Sequence, residues 1–208
     1  MRVVICDDHP IVREGLKKTL AQYRDVTVVA EAGTGAELLE LLKTTPCDVV
    51  VLDITLPDRN GLDVVKHLHG EQHGPAVIIL SMHSEEQYAV RAVKAGARGY
   101  LEKASIPEEL ITALRKVAAG GVHVSPSLAE RLALELSGDA KTLPHEKLSD
   151  REYQVLCSLA TGKGIKQIAQ ELFLSPTTIA TYRARVLAKL KMRSTAELIH
   201  YAVEQRLI

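Results

Sequence analysis

CDVVVLDITLPDRNG, residues 47–61, is the stretch whose reading decides the fold. Val49, Val50, Val51 and Leu52 form an apolar run without alternation, and β-branched residues dominate it. A strand of that kind is covered on both faces, as in a parallel sheet flanked by helices. Asp53 closes the run, so its carboxylate falls at the strand's C-terminal end, the edge at which open α/β sheets bind ligands. Pro57 and Gly61 turn the loop that follows. Taken alone, Asp53 also reads as a loop residue or a helix cap, and the segments on either side must decide between these.

Upstream, RVVIC (residues 2–6) reads as a strand ending at Asp7-Asp8, and helical spacing follows over residues 10–22 with Pro10 at its start. A strand over 26–30 and a helix over 36–42 lead into the central run. Downstream come a helix over 62–68, a buried strand AVIIL (76–80) ending at Ser81, a helix over 85–95 before Gly96, a strand over 99–101 ending near Lys103, and a helix over 107–119. Strands alternating with helices in this way predict an α/β domain with a doubly wound, five-stranded parallel sheet. Right-handed crossovers place helices on both faces. Parallel strands all point one way, so Asp7, Asp8, Asp53, Ser81 and Lys103 are expected along one edge.

Three carboxylates gathered there repel one another and raise each other's pKa unless a cation lies among them. Mg²⁺ meets that need, because it takes oxygen ligands and works with one or two carboxylates plus phosphate oxygens. The strand ends offer no Cys or His, so zinc is not expected. With the charge screened, Asp53 can act as a carboxylate nucleophile toward a phosphoryl group, Ser81 can hydrogen-bond a phosphoryl oxygen, and Lys103 can pair with its charge.

The alternation stops at Gly120. Residues 121–147 are expected to hold one short helix (126–136) and a linker, SGDAKTLPHEK, and residues 148–208 read as an all-α domain of four helices over 149–161, 165–172, 176–190 and 194–205. Ser149 and Glu152 have capping-box spacing. The second and third helices form a helix-turn-helix candidate, with Ser175 and Pro176 opening the third, which carries Arg183, Arg185 and Lys189. Nine basic residues against five acidic ones over 148–208 make this the basic part of a chain whose net charge is zero. That excess fits a phosphate-lined surface, and a plain helical bundle would show the same periodicity. No apolar run approaches the roughly 20 residues of a membrane span, so no membrane contact and a cytoplasmic location are expected. Three widely spaced cysteines suggest free buried thiols.

These motifs together resemble the receiver domain of two-component response regulators: the Asp-Asp pair, D-x-x-x-P-x-x-x-G around Asp53, Ser81 after AVIIL, and GYLEK ending at Lys103. The resemblance covers residues 1–120 and implies that Asp53 accepts phosphate from a sensor histidine kinase. It implies Mg²⁺ held by Asp7, Asp8, Asp53 and the backbone carbonyl of Thr55, and a switch in which Ser81 moves toward the phosphoryl group while Tyr100 turns inward. Ala104 follows Lys103 where many receivers have proline. His83, beside the switch hydroxyl, reads as a solvated loop residue.

The tail, KQIAQELFLSPTTIATYRARVLAKL, resembles the LuxR-type output domain of the NarL/FixJ group. It implies double-stranded operator DNA as partner, with Lys166, Thr178 and Tyr182 on phosphates and Ala180, Thr181, Arg183 and Ala184 near the groove floor. Thr177 stands where a lysine is common, and Thr177, Arg185 and Lys189 complete the expected DNA-facing set. Residues from Ser194 onward are expected to form a homodimer contact on activation. Two other classes share some of these features. A phosphatase-type enzyme using an Asp nucleophile needs a second Asp two residues on, where this chain has Thr55, so no turnover of a free substrate is expected. An interaction adaptor whose tail only dimerises differs in having no salt-dependent affinity for DNA.

Overall fold

The computed structural model describes the whole chain apart from residues 72–73, 83, 106–107, 137–142 and 206. Among the described residues, Arg2–Cys6 (β1), Thr27–Ala32 (β2), Val49–Asp53 (β3), Ala76–Ser81 (β4) and Gly99–Glu102 (β5) form one sheet. Its order is β2-β1-β3-β4-β5, and every neighbouring pair is parallel. Alternating with the strands are α1 (Pro10–Leu20), α2 (Gly35–Leu42), α3 (Gly61–His69), α4 (Glu85–Ala95) and α5 (Glu108–Ala118). The strand order reverses between β1 and β3, which makes the crevice above their C-terminal ends the topological switch point of a flavodoxin-like sheet.

The strands form where the run of apolar residues can be covered twice. Val3, Ile5, Val49, Val51, Ile78, Leu80 and Leu101 face a layer built from Leu16 and Leu20 of α1 and Leu110, Ala113, Leu114 and Val117 of α5. Alternate residues Val4, Val50, Leu52 and Ile79 are just as buried, so the opposite face is covered as well. Each such side chain contributes about 1.5–3 kcal/mol relative to exposure. β2 begins and ends later than its hydrophobicity suggests, at Thr27–Ala32. It begins where Thr27 pairs with Arg2, and a register shift against β1 between Val3 and Val4 carries its end onward, so that Glu31 and Ala32 pair with Ile5 and Cys6.

Two glycines fix turns around the switch point. A Cβ on Gly61 would collide with the Asp53 carbonyl oxygen, so only glycine lets the loop after β3 fold back against the strand. Gly96 ends α4 in the left-handed region at φ 110°, donating its N–H to Val93. Residue 107, expected to open α5, and His83 both lie outside the described residues.

The chain divides into two compact units, Met1–Ala133 and Leu134–Ile208. A helix, α6 (Pro126–Leu136), follows the sheet domain; residues 137–142 of the expected linker lie outside the described residues, and Pro144–Lys147 forms a 3-10 turn. The second unit then contains α7 (Asp150–Ala160), α8 (Ile165–Glu171), α9 (Pro176–Leu190) and α10 (Thr195–Glu204). The capping box is present at α7: Ser149 accepts from the Glu152 N–H, and Glu152 accepts from the Ser149 N–H at 2.8 Å. α7 packs on both α9 and α10, with Tyr153, Leu156, Val186 and Leu198 buried. His145, in the 3-10 turn, joins its imidazole Nδ1 to the Tyr201 hydroxyl of α10 at 2.8 Å.

Candidate functional site

β1 and β3 end side by side, so Asp7 and Asp53 meet across the switch point, and Lys103 reaches them from the turn after β5. Lys103 Nζ lies 2.6 Å from Asp7 Oδ2 and 2.8 Å from Asp53 Oδ2, and all three side chains are largely buried. Burial pushes the Asp53 carboxyl up to about 6; Lys103 opposes the rise and Asp7 adds to it. Burial pushes the Lys103 ammonium down, but Asp53 and Asp7 outweigh that and hold it above its ordinary value. At neutral pH both partners are therefore charged. Asp8 stands at the rim with its side chain 13% exposed. Three carboxylates against one ammonium leave two negative charges, which a divalent cation with oxygen preference fits.

The sequence placed no His or Cys among these groups, and the structure corrects this. His9 Nδ1 lies 2.7 Å from Asp8 Oδ1 and 3.4 Å from Asp7 Oδ1. Asp7, Asp8, His9 and Asp53 each offer one ligand atom, and these atoms all lie within 4.8 Å of one another. The run Asp-Asp-His carries the signal, but His9 lies beyond the strand end, at the N-cap of α1, where the strand pattern does not place it.

Thr55 follows two residues after Asp53, and its N–H donates to Asp53 Oδ1 at 3.3 Å. The loop carrying it is anchored by Asp58, whose two carboxylate oxygens accept from the N–H groups of Gly35 and Ala36 at 2.9 and 2.8 Å, at the start of α2. Arg13 of α1 donates to the Asp7 backbone carbonyl at 2.7 Å and pairs with Glu31 of β2.

Ser81 is fully buried at the end of β4, and its side chain hydrogen-bonds the Tyr100 hydroxyl. Tyr100 is already turned in, 3% exposed, and also donates to the Ser84 carbonyl at 3.4 Å. Burial raises its phenol well above the ordinary value. Glu102, next but one along β5, accepts from the Glu85 N–H at 2.8 Å and so caps α4. The segment between β4 and α4 is thus tied to β5 at two points. Met82, beside Ser81, is exposed, and Ala104 lies exposed in the 3-10 turn Lys103–Ser105.

In the second unit, Ser175 caps α9 by accepting from the Thr178 N–H, and Pro176 occupies the first helical turn. Lys166 on α8 and Thr177, Ala180, Thr181, Ala184 and Arg185 on α9 are exposed, while Thr178 and Tyr182 are half-buried. The Arg185 guanidinium lies 6.0 Å from the Tyr182 ring centre. Two basic residues of α9 have partners inside the unit. Arg183 Nε donates to Thr195 Oγ1 at 2.8 Å, and Lys189 Nζ meets buried Glu152 at 2.7 Å. Burial pushes the Glu152 carboxyl up, but Lys189 and the Ser149 cap pull it below the usual carboxylate range.

Among the described residues, no helix is long and apolar enough to cross a membrane. Residues 3–115 match the response regulator receiver domain family, and residues 146–202 match the bacterial regulatory proteins of the luxR family. The chain is 40% identical to the transcriptional regulatory protein UhpA of Salmonella typhimurium over 198 residues, covering 95% of each chain. It is 32% identical to the response regulator UvrY of Escherichia coli, covering all of this chain and 95% of that one. Among solved structures, RcsB from Salmonella enterica serovar Typhimurium, bound to promoter P1flhDC in the presence of phosphomimetic BeF3−, superposes with a TM-score of 0.65 at 27% identity over 97% of both chains. With a flavodoxin-like sheet whose switch point gathers Asp7, Asp8, Asp53 and Lys103, followed by a capped helix-turn-helix, the chain belongs to the response regulators that join a receiver domain to a LuxR-type output domain.

Proposed function

We propose that this response regulator takes a phosphoryl group onto Asp53 from the phosphohistidine of a sensor histidine kinase, and that the modified receiver promotes homodimerisation and operator binding. The observation that carries the reading is the meeting of Asp7, Asp53 and Lys103 within ion-pair distance at the switch point. In the transfer, an Asp53 carboxylate oxygen attacks phosphorus, the phosphorus–nitrogen bond of the donor breaks, and its electron pair returns to the imidazole. An acyl phosphate forms on Asp53. Asp7, Asp8, Asp53 and the Thr55 carbonyl are the groups that would hold Mg²⁺, which when bound neutralises charge on the phosphoryl oxygens. Lys103 then pairs with a phosphoryl oxygen in place of one carboxylate, and Ser81 donates to another.

The switch follows from the same contacts. Drawing Ser81 toward a phosphoryl oxygen alters its hydrogen bond to Tyr100, and Tyr100 holds the segment before α4. Shifting such a face from 1:99 to 99:1 takes about 5.5 kcal/mol of differential stabilisation. In the output unit, α9 enters the major groove, with Thr177, Ala180, Thr181 and Arg185 outward and Lys166 of α8 toward the backbone. α10, with Val203 exposed, supplies the homodimer contact. Residues 121–147 act as the connection between the receiver and the output domain, and the protein works in the cytoplasm, where kinase and DNA are both in reach. The only bond-making step assigned to the chain is on its own Asp53.

The deciding experiment incubates the full chain with Mg²⁺ and acetyl phosphate. Acid-labile label is expected on wild type and absent from Asp53→Asn; equal labelling of the two would remove Asp53 as the acceptor.

A further inference from the structure

His9 stands outside the ligand set proposed above, yet its ring lies among those ligands. The fold uses this side chain for little else. It occupies the N-cap position of α1 without making a side-chain cap hydrogen bond, and its side chain is 66% exposed, so it neither closes the helix nor packs in the core. Its backbone, by contrast, is pinned. Proline follows it, which restricts the preceding residue to extended conformations, and His9 sits at φ −90°, ψ 108°. The His9 N–H also donates to Asp7 Oδ1 at 2.8 Å. These restraints hold the imidazole at the mouth of the carboxylate pocket.

The spacing suits shared coordination. Around an octahedral ion with ligands at about 2.1 Å, adjacent donors stand roughly 3 Å apart and opposite donors roughly 4.2 Å apart. His9 Nδ1 lies 2.7 Å from Asp8 Oδ1 and 3.4 Å from Asp7 Oδ1, on either side of the adjacent-donor distance, and the four candidate ligand atoms all lie within 4.8 Å of one another. We infer that His9 gives the pocket a nitrogen ligand and sets its metal preference, favouring divalent first-row transition ions over Mg²⁺. Mg²⁺ selects oxygen and gives up water reluctantly, so an imidazole adds little to its binding. Transition ions accept imidazole more readily than Mg²⁺ does, Mn²⁺ least among them, and the same pocket holds them more tightly when the ring is present. The inference rests on the reading that Asp7, Asp8 and Asp53 hold a divalent ion.

Mn²⁺ serves as the probe, on the full chain stripped with chelator. Its binding is followed by loss of the free-ion electron paramagnetic resonance signal, Mg²⁺ binding by competition, and the ligands by nitrogen modulation of the electron spin echo. Wild type is compared with His9→Ala and with His9→Asn, the latter retaining a residue favoured at helix N-caps. Nitrogen modulation is expected in wild type, changed by ¹⁵N-histidine labelling and lost in both variants. Mn²⁺, the weakest imidazole binder of the first-row series, is expected to lose affinity severalfold in the variants while Mg²⁺ affinity changes less. Bound Mn²⁺ without nitrogen modulation, or an unchanged Mn²⁺/Mg²⁺ ratio in both variants, would overturn the role of His9 and leave the carboxylate site standing. Mn²⁺ that fails to bind wild type, or binds as well to Asp8→Asn/Asp53→Asn, would overturn the carboxylate site and His9 with it.

Discussion

Lys103 is the residue on which the receiver pocket balances. Its ammonium neutralises two buried carboxylates at once, at 2.6 and 2.8 Å, in the pocket without a phosphoryl group. Removing it leaves Asp7 and Asp53 with more negative charge than before, which a divalent cation can still answer. Lys103→Met is therefore expected to bind Mg²⁺ at least as well as wild type, measured by fluorescence or calorimetric titration, while acetyl phosphate no longer raises its dimerisation. A variant that dimerised on phosphorylation like wild type would make Lys103 a bystander. At this scale the sequence was informative about carboxylates and less so about imidazole and guanidinium. Asp53 ends an unmistakable strand, but the approach of His9 to Asp8 depends on the entry angle of α1, which no residue spacing encodes. Arg183 and Lys189 look alike on a helical wheel as groove-facing cations; only packing against α7 and α10 reveals Glu152 and Thr195 as their partners.

Elements are held in place here by carboxylates that cross between them. Asp58 lies in the loop after β3 yet accepts from two backbone N–H groups at the first turn of α2, and these bonds with the helix start and Arg59 outweigh its burial and keep its carboxyl below the ordinary range. Asp58→Ala removes an N-terminal cap of α2 and an anchor of the loop carrying Thr55, at a cost of about 0.5–2 kcal/mol. Chemical denaturation of the receiver should show a lower midpoint without a changed slope. Glu152 does the same work in the output unit, bridging the start of α7 and the last turn of α9. Its folded-state pKa lies below the unfolded value, so its contribution is complete above about pH 4.3 and disappears as pH falls further. Glu152→Gln should therefore lower the melting temperature of the output unit near neutral pH, and the gap from wild type should narrow as the solution is acidified below that value. An equal gap at all pH values would assign the effect to shape alone. The helices themselves were legible because their caps are local: Ser149, Ser175 and Ser194 each accept from an N–H three residues on. The ends of β2 were not, since a strand's limits are set by its neighbour's ladder, here starting at the Arg2 and Thr27 pair and displaced further on by the shift at Val3 and Val4.

For the whole molecule, function requires that an event at Asp53 change what the output unit does to DNA. Operator affinity of wild type should rise with Mg²⁺ and acetyl phosphate, and that of Asp53→Asn should not, as read by fluorescence anisotropy on a bound genomic fragment. Affinity should fall with salt at a log–log slope of about −0.9 for each phosphate neutralised. Arg185→Ala should reduce that slope by about one if the exposed guanidinium meets a phosphate; a slope already near zero in wild type would favour a tail that only dimerises.

The amino-acid sequence by itself determined the alternation of strands and helices, the acidic residues at one sheet edge, and the capped helices of the tail. Each of these is written in local patterning: period, β-branching, and the spacing of a cap from its N–H. The tertiary structure alone decided that Lys103 spans Asp7 and Asp53, that Tyr100 is folded inward on Ser81, and that His9 closes over the carboxylates. Those contacts join residues from different elements, and their distances follow from how strands stack and helices enter, which is fixed only when the core has formed.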